Sequence, residues 1–320
     1  MRKLILALSL FIVAVGLKAQ QDAQYTQFFM TKLTYNPAYA GSEDKICVTG
    51  LYRSQWLGFG DSKAGLSPTT YLVNIHAPLG KKIGVGGNIT VDQAGFEKSL
   101  NAIFSAAYRI PFNNGSTLAI GAGAGFMQKT LAGDKLKPLD PGDSKIPTSS
   151  VSGFATDVNA GLYYTMPNLW RFTNFYTGLS ATHLTQGNVS YEGIIDNPMT
   201  LHTYFMTGAT YDLSPSLALE PNILVKTDLA KTTLDLNAMI TYNNKIRGGL
   251  TYRSADAVSV LIGYKFTPNL QIGYSYDLTT SNIITYSSGS HEIVLRYCFL
   301  PKLKEKPDKQ PVPRLTPRFL

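Results

Sequence analysis

Few residues of this 320-residue chain are suited to chemistry: four histidines, His76, His183, His202 and His291, and two cysteines, Cys47 and Cys298. The histidine with acid–base company is His291, set between Ser290 and Glu292. Nucleophilic catalysis needs serine, histidine and carboxylate to converge on one point. Three consecutive strand residues cannot do so, because His291 points opposite to both neighbours. It is read as a polar residue at a strand start. No Gly-Xaa-Ser-Xaa-Gly elbow, metal-spaced Cys/His pair or phosphate loop occurs. Gly84, Gly86 and Gly87, and Gly121, Gly123 and Gly125, stand at strand spacing, and no helix pattern follows them as a phosphate-binding turn requires. They suit bends, or close packing of a plug against a wall. The chain is expected not to be an enzyme and to carry no catalytic residue, metal or cofactor.

Two cysteines are too few for a disulfide scaffold. They fall in the first and last strands of the reading below, which are neighbours in a closed barrel. A disulfide between them is one alternative; two unpaired buried thiols is the expectation.

The elements that would position these groups are strands. In residues 270–278, Leu270, Ile272, Tyr274, Tyr276 and Leu278 share one face, and Gln271, Gly273, Ser275 and Asp277 the other. Residues 233–242 and 292–299 repeat the alternation. The minor face gathers small and charged residues: Arg109, Asp157, Glu220, Arg247, Arg253, Lys265, Asp277 and Arg296. A soluble sandwich uses strands of about 5–6 residues; here they read longer, enough to cross a bilayer at a tilt. Tyr and Phe recur towards strand ends, as interfacial girdles do. The composition agrees, with 19 Tyr, 15 Phe, 28 Gly and only 16% charged residues.

Fourteen strands are expected, at 46–56, 67–77, 82–93, 97–110, 115–129, 151–165, 171–182, 200–212, 216–226, 232–242, 245–254, 257–266, 269–279 and 290–299. Tight turns such as Pro78–Lys81, Pro167–Trp170 and Thr267–Pro268 alternate with the longer connections 57–66, 130–150, 183–199 and 280–289. Short turns on one side and long loops on the other is the outer-membrane rule. Lipid offers no partner for backbone groups, so the sheet must close. The fold class is all-β: one antiparallel transmembrane barrel, with short periplasmic turns, extracellular loops and both termini periplasmic.

Four regions follow. Residues 1–19 read as a signal peptide: basic Arg2 and Lys3, an apolar run to Leu17, and a cleavage point after Ala19. Residues 20–45 are a lead-in, in which Asn36–Gly41 either folds up into the lumen as part of a plug or simply leads into the barrel. Residues 46–299 are the barrel. Residues 300–320 are a basic, proline-rich tail carrying half of the formal charge of +8. Nucleic acid is a poor partner for it, since no stacking aromatics accompany its basic groups. A docking arm reading assigns partner contact to Arg314, Arg318, Phe319 and Leu320. Arg53 and Trp56, near the top of the first strand, serve either packing or substrate contact.

An ordered set of segments resembles one family. It comprises Gln27-Phe28-Phe29, Asn36-Pro37-Ala38-Tyr39-Ala40-Gly41, Tyr52-Arg53-Ser54-Gln55-Trp56, and His76-Ala77-Pro78-Leu79 leading into Gly84-Val85-Gly86. Gly178-Leu179-Ser180 with His183, Gly248–Arg253, Gly273–Leu278 and Gly289–Ile293 complete it. Together these are similar to the PorP/SprF family. The resemblance implies an outer-membrane part of the type IX secretion system of Bacteroidetes, working in secretion or surface anchoring of proteins with a C-terminal sorting domain, gliding adhesins included. It implies as partners such a secreted surface protein, periplasmic secretion or motility subunits, and outer-membrane lipid. It carries over no catalytic residue. The alternative is a passive or facilitated transporter of small solutes, porin-like or FadL-like; charges of both signs on the minor face weigh mildly against it.

Overall fold

The computed structural model describes residues 22–300 apart from 60–65, 139, 141–142, 144–145, 193–194 and 229. The signal-peptide and tail readings, and with them Arg314, Arg318, Phe319 and Leu320, lie outside the described residues.

Alternating sequence becomes strand wherever one face has something to pack on and the other meets an apolar solvent. The strands are β1 (Ile46–Ser54), β2 (Thr69–Leu79), β3 (Ile83–Ala94), β4 (Glu97–Pro111), β5 (Thr117–Ala132), β6 (Ser150–Leu169) and β7 (Phe172–Thr182). The short β8 (Asn188–Tyr191) and β9 (Ile195–Pro198) follow. The rest are β10 (His202–Ser214), β11 (Leu217–Thr227), β12 (Thr232–Tyr242), β13 (Ile246–Arg253), β14 (Ala257–Lys265), β15 (Leu270–Thr279) and β16 (Ser290–Phe299). Fourteen of them form a closed antiparallel barrel in chain order, sealed by β1 against β16. Closure satisfies every edge that lipid would leave unpaired. β8 and β9 pair only with each other, inside the long connection 183–199, and β7 pairs directly with β10.

The faces divide as the alternation requires. On β2, Thr70, Leu72, Asn74 and His76 are buried, while Tyr71, Val73 and Ile75 are exposed on the outer wall. Phe104, Ile120, Phe154, Leu179, Ile240, Leu250, Ile262 and Leu295 continue that apolar exterior. Exposed Tyr108, Tyr242, Tyr264 and Tyr297 ring the short-turn end, and Tyr52, Tyr71 and Tyr252 the long-loop end, where amphipathic rings suit a membrane interface.

Two local readings need correction. β6 does not stop before Pro167 but runs to Leu169, and the chain reverses at Trp170, with φ 55°. Ladder pairing passes from Met166–Phe175 to Asn168–Thr173, so Pro167 falls at an irregularity where its missing N–H breaks no pair. Cys47 and Cys298 are not free thiols. They stand directly opposite in the β1–β16 register, 4.1 Å apart at Cα, and are joined in a disulfide. Strand assignment alone made them neighbours; the register makes them partners.

Candidate functional site

Residues 22–45 touch the inward faces of strands all around the barrel, which places this segment in the lumen. It is folded as three short turns, Phe28–Met30, Lys32–Tyr35 and Pro37–Tyr39. Tyr25, Phe28, Phe29, Met30, Leu33, Tyr35, Ala38, Tyr39 and Ala40 are all buried. A chain too short for a core of its own thus takes the barrel wall as its second layer.

The seat of Asn36–Gly41 is built from missing side chains. Asn36 caps its own turn by accepting the Ala38 N–H at 2.9 Å, and its Nδ2 donates to the carbonyls of Leu162 at 2.8 Å and Leu179 at 3.3 Å. These carbonyls belong to β6 and β7, where a Cβ on Gly161 would stand 2.2 Å from Asn36 Oδ1 and one on Gly178 2.8 Å from Asn36 Nδ2. A Cβ on Gly121 would meet the Ala38 backbone at 2.4 Å, and one on Gly84 the Ala40 carbonyl at 2.0 Å. Ser180 Oγ donates to the Tyr35 carbonyl at 2.6 Å. The strand-spaced glycines Gly84 and Gly121 are therefore contact surfaces for the segment. Gly87 is not: its nearest neighbour would be an Ile75 methyl at 3.7 Å.

Polar groups hold the segment at its other turn. Glu292 accepts the backbone N–H groups of Thr26 and Gln27, each at 2.8 Å, and Thr26 Oγ1 donates to Asp277. Arg53 bridges both carboxylates, at 2.7 Å to Asp277 and 3.1 Å to Glu292. Arg253 extends the array to Asp235 and Asp256, each at 3.2 Å. Arg53 is 1% exposed and Glu292 fully buried. Such charges are tolerable out of water only because each is paired and hydrogen-bonded. Of the residues read as partner contacts, Arg53 is thus committed to an internal array. Trp56 lies beyond the end of β1 at φ 52°, its N–H bonded to Ser290 Oγ. Ser290 and Glu292 are buried, while the His291 ring lies on the opposite side against Tyr274, with Nδ1 2.7 Å from the phenol oxygen. No triad forms there.

The segment runs from one rim to the other. Its far end, Asp22, reaches the long-loop side: Oδ1 is 3.0 Å from His183 Nε2, just past β7, and Oδ2 accepts from Tyr204 at 2.7 Å. Although the first strand starts at the short-turn rim, Asp22 therefore lies at the opposite end of the lumen. Burial would by itself push the Asp22 carboxyl up, but His183 and His202 hold it well below the usual carboxylate range. Burial would likewise lower His183, yet Asp22 and Asp157 outweigh it and push the imidazole up to about 10. At the short-turn end, Glu43 pairs with Arg296 and accepts from the Tyr39 hydroxyl. Lys32 lies over the Tyr176 ring at 3.5 Å from its centroid.

Cavities lie beside the segment towards both rims. One of about 400 Å³ lies towards the long loops, lined by Asp22, Asp92, Glu97, Lys129, His183 and His202 among others. One of about 200 Å³ lies towards the short turns, beside Lys32, Glu220, Arg247 and Arg296. The sequence pointed to the lumen-facing charges and to Asn36–Gly41, but it gave no role to Asp22, Thr26 and Gln27, whose carboxylate and histidine partners sit more than a hundred residues away.

A family model described as "Type IX secretion system membrane protein PorP/SprF" matches residues 17–297. Among solved structures, the CymD monoaromatic hydrocarbon channel is 11% identical, with a TM-score of 0.44 over 84% of this chain and 91% of its own. Omp33 of Acinetobacter baumannii is 10% identical, with a TM-score of 0.43 over 80% of this chain and 98% of its own. The translocator domain of the autotransporter NalP from Neisseria meningitidis is 12% identical, with a TM-score of 0.41 over 93% and 95%. Likenesses at this level carry no functional weight. Comparison with the curated proteins finds no match.

Proposed function

Since the chain belongs to the PorP/SprF family of type IX secretion system membrane proteins, we propose that it is a non-enzymatic outer-membrane barrel that assists secretion or cell-surface anchoring of proteins with a C-terminal sorting domain. The observation that carries this reading is the occupied lumen. A barrel for small solutes needs a continuous wet path, and here residues 22–45 stand between cavities towards the two rims, anchored at Arg53, at Asn36 and at Glu43. What such a barrel offers is two separate faces. The long-loop rim, with the β8–β9 hairpin, faces outward and receives the secreted protein. The short-turn rim faces the periplasm, and the basic tail 301–320 docks periplasmic secretion or motility subunits through Arg314, Arg318, Phe319 and Leu320.

The test is affinity purification of the tagged protein from mild-detergent membranes after cross-linking, followed by mass spectrometry. Recovery of a large secreted protein or of periplasmic subunits supports the reading. Repeated recovery of the barrel alone overturns it and favours a transporter. Removing residues 301–320 should leave the barrel folded and deplete the periplasmic partners selectively; unchanged recovery would remove the docking arm.

A further inference from the structure

At the long-loop end of the lumen, three side chains from distant parts of the chain offer ligand atoms to a common point. Asp22 comes from the lumenal segment, His183 from just beyond β7, and His202 from the start of β10. One carboxylate oxygen and one nitrogen from each imidazole all lie within 4.8 Å of one another. Imidazole nitrogen and carboxylate at this separation are the donor set of zinc, copper, nickel and cobalt ions, the ion displacing to solvent the proton that Asp22 and Asp157 otherwise hold on His183.

Two further observations point the same way. His202 is 1% exposed, and neither of its ring nitrogens has a hydrogen-bond partner among the described residues; Nδ1 faces Asp22 Oδ2 at 3.5 Å without bonding it. A buried imidazole with both nitrogens idle costs free energy that a bound cation would recover. His183 is oriented from behind. Its Nδ1 lies 2.8 Å from Asp157 Oδ2, whose side chain is fully buried, and its backbone N–H donates to Asn159 Oδ1 at 3.0 Å. A carboxylate on the far nitrogen is how proteins fix the tautomer and aim of a metal-binding histidine. The residue is held at φ 58°, a left-handed conformation that only surrounding contacts sustain in a non-glycine residue.

We infer that Asp22, His183 and His202 form a site for one divalent first-row transition ion of the zinc class, with Asp157 positioning His183. The three ligands leave a fourth position open to the cavity of about 400 Å³, whose wall also carries Asp92 and Glu97, so hydrated cations can reach it. Because Asp22 belongs to the lumenal segment and both histidines to the wall, the bound ion cross-links the two and pins the segment's outer end. The site stands independently of which partner the barrel serves.

The experiment uses the full-length barrel in detergent, carrying a C-terminal tag without histidine. The protein is stripped with chelator, loaded with Zn²⁺, dialysed, and assayed for metal content and by native mass spectrometry. A parallel sample is loaded with Co²⁺ and read by its visible absorption. The expected result is one ion per chain in the wild type and none in Asp22→Ala or His202→Ala. Asp157→Asn should bind, with affinity lower by about 10–100-fold. His202→Gln, nearly isosteric, covers the case in which the alanine variant does not fold, and heat-modifiable gel migration reports the fold of each. A wild type that retains no ion, or a folded His202→Gln that retains as much as the wild type, overturns the site and leaves these residues as an ion-pair latch.

Discussion

Arg53 Nη2 lies 2.7 Å from Asp277 Oδ2, with each side chain only 2% accessible, and the same guanidinium reaches Glu292. This pair ties β1 to β15, while Thr26 of the lumenal segment bonds both carboxylates. Replacing Arg53 by Met leaves the buried Glu292 without its cation and Asp277 with only Arg253, at 4.0 Å. The expected loss is about 3–5 kcal/mol, the usual cost of removing one partner of a buried pair. Thermal unfolding of the detergent-solubilised barrel checks it; a midpoint equal to that of the wild type would show that the array contributes nothing.

Gly121 and Gly87 separate wall packing from lumen packing. Gly121→Val puts a side chain where the Ala38 backbone lies, so the segment must leave its seat while the barrel remains. Gly87→Ala meets only ordinary contacts and should be neutral. Limited proteolysis reads the difference: residues 22–45 become cleavable in the first variant and stay protected in the second. Equal protection in both would contradict the seat.

Ile272 is on the outer wall of β15. Ile272→Arg should weaken assembly by about 2–4 kcal/mol if the site lies at the bilayer midplane, less nearer an interface. Folding into lipid vesicles, followed by gel migration of unboiled samples, gives the measurement. Assembly indistinguishable from wild type would place this face away from lipid.

Glu43 makes the short-turn end acid-sensitive. Against burial, which would raise it, Arg296 lowers the Glu43 carboxyl from 4.5 to about 2. A carboxyl depressed in the folded state contributes stability above its unfolded value, lost as pH falls through the folded one. The window is therefore from 4.5 down to about 2. Glu43→Gln should be less stable than wild type near neutrality, and the two should converge below that window. Parallel melting curves across the whole range would sink the assignment.

Much of the barrel was legible because alternation is local. Leu270 to Leu278 declare both faces within nine residues, and thirteen tight or loose connections then order the strands. What could not be read depends on register or on path. Cys47 meets Cys298 only in one register of β1 on β16. The β8–β9 hairpin has strands of four residues, too short for periodicity to declare. Gly84, Gly121, Gly161 and Gly178 make sense only once Asn36–Gly41 lies against them. Asp22, His183 and His202 converge because the segment crosses the lumen to the long-loop rim, and nothing in their spacing says so.

Residues 22–45 lie across the barrel lumen with cavities towards either rim, and on the proposed reading they block the passage of solutes. Planar-bilayer recording on the wild-type protein, beside Gly121→Val, tests this most directly. No sustained open-channel current is expected from the wild type, and stepwise conductance is expected once the segment is displaced. Stable, ohmic conductance steps from the wild-type protein would contradict it.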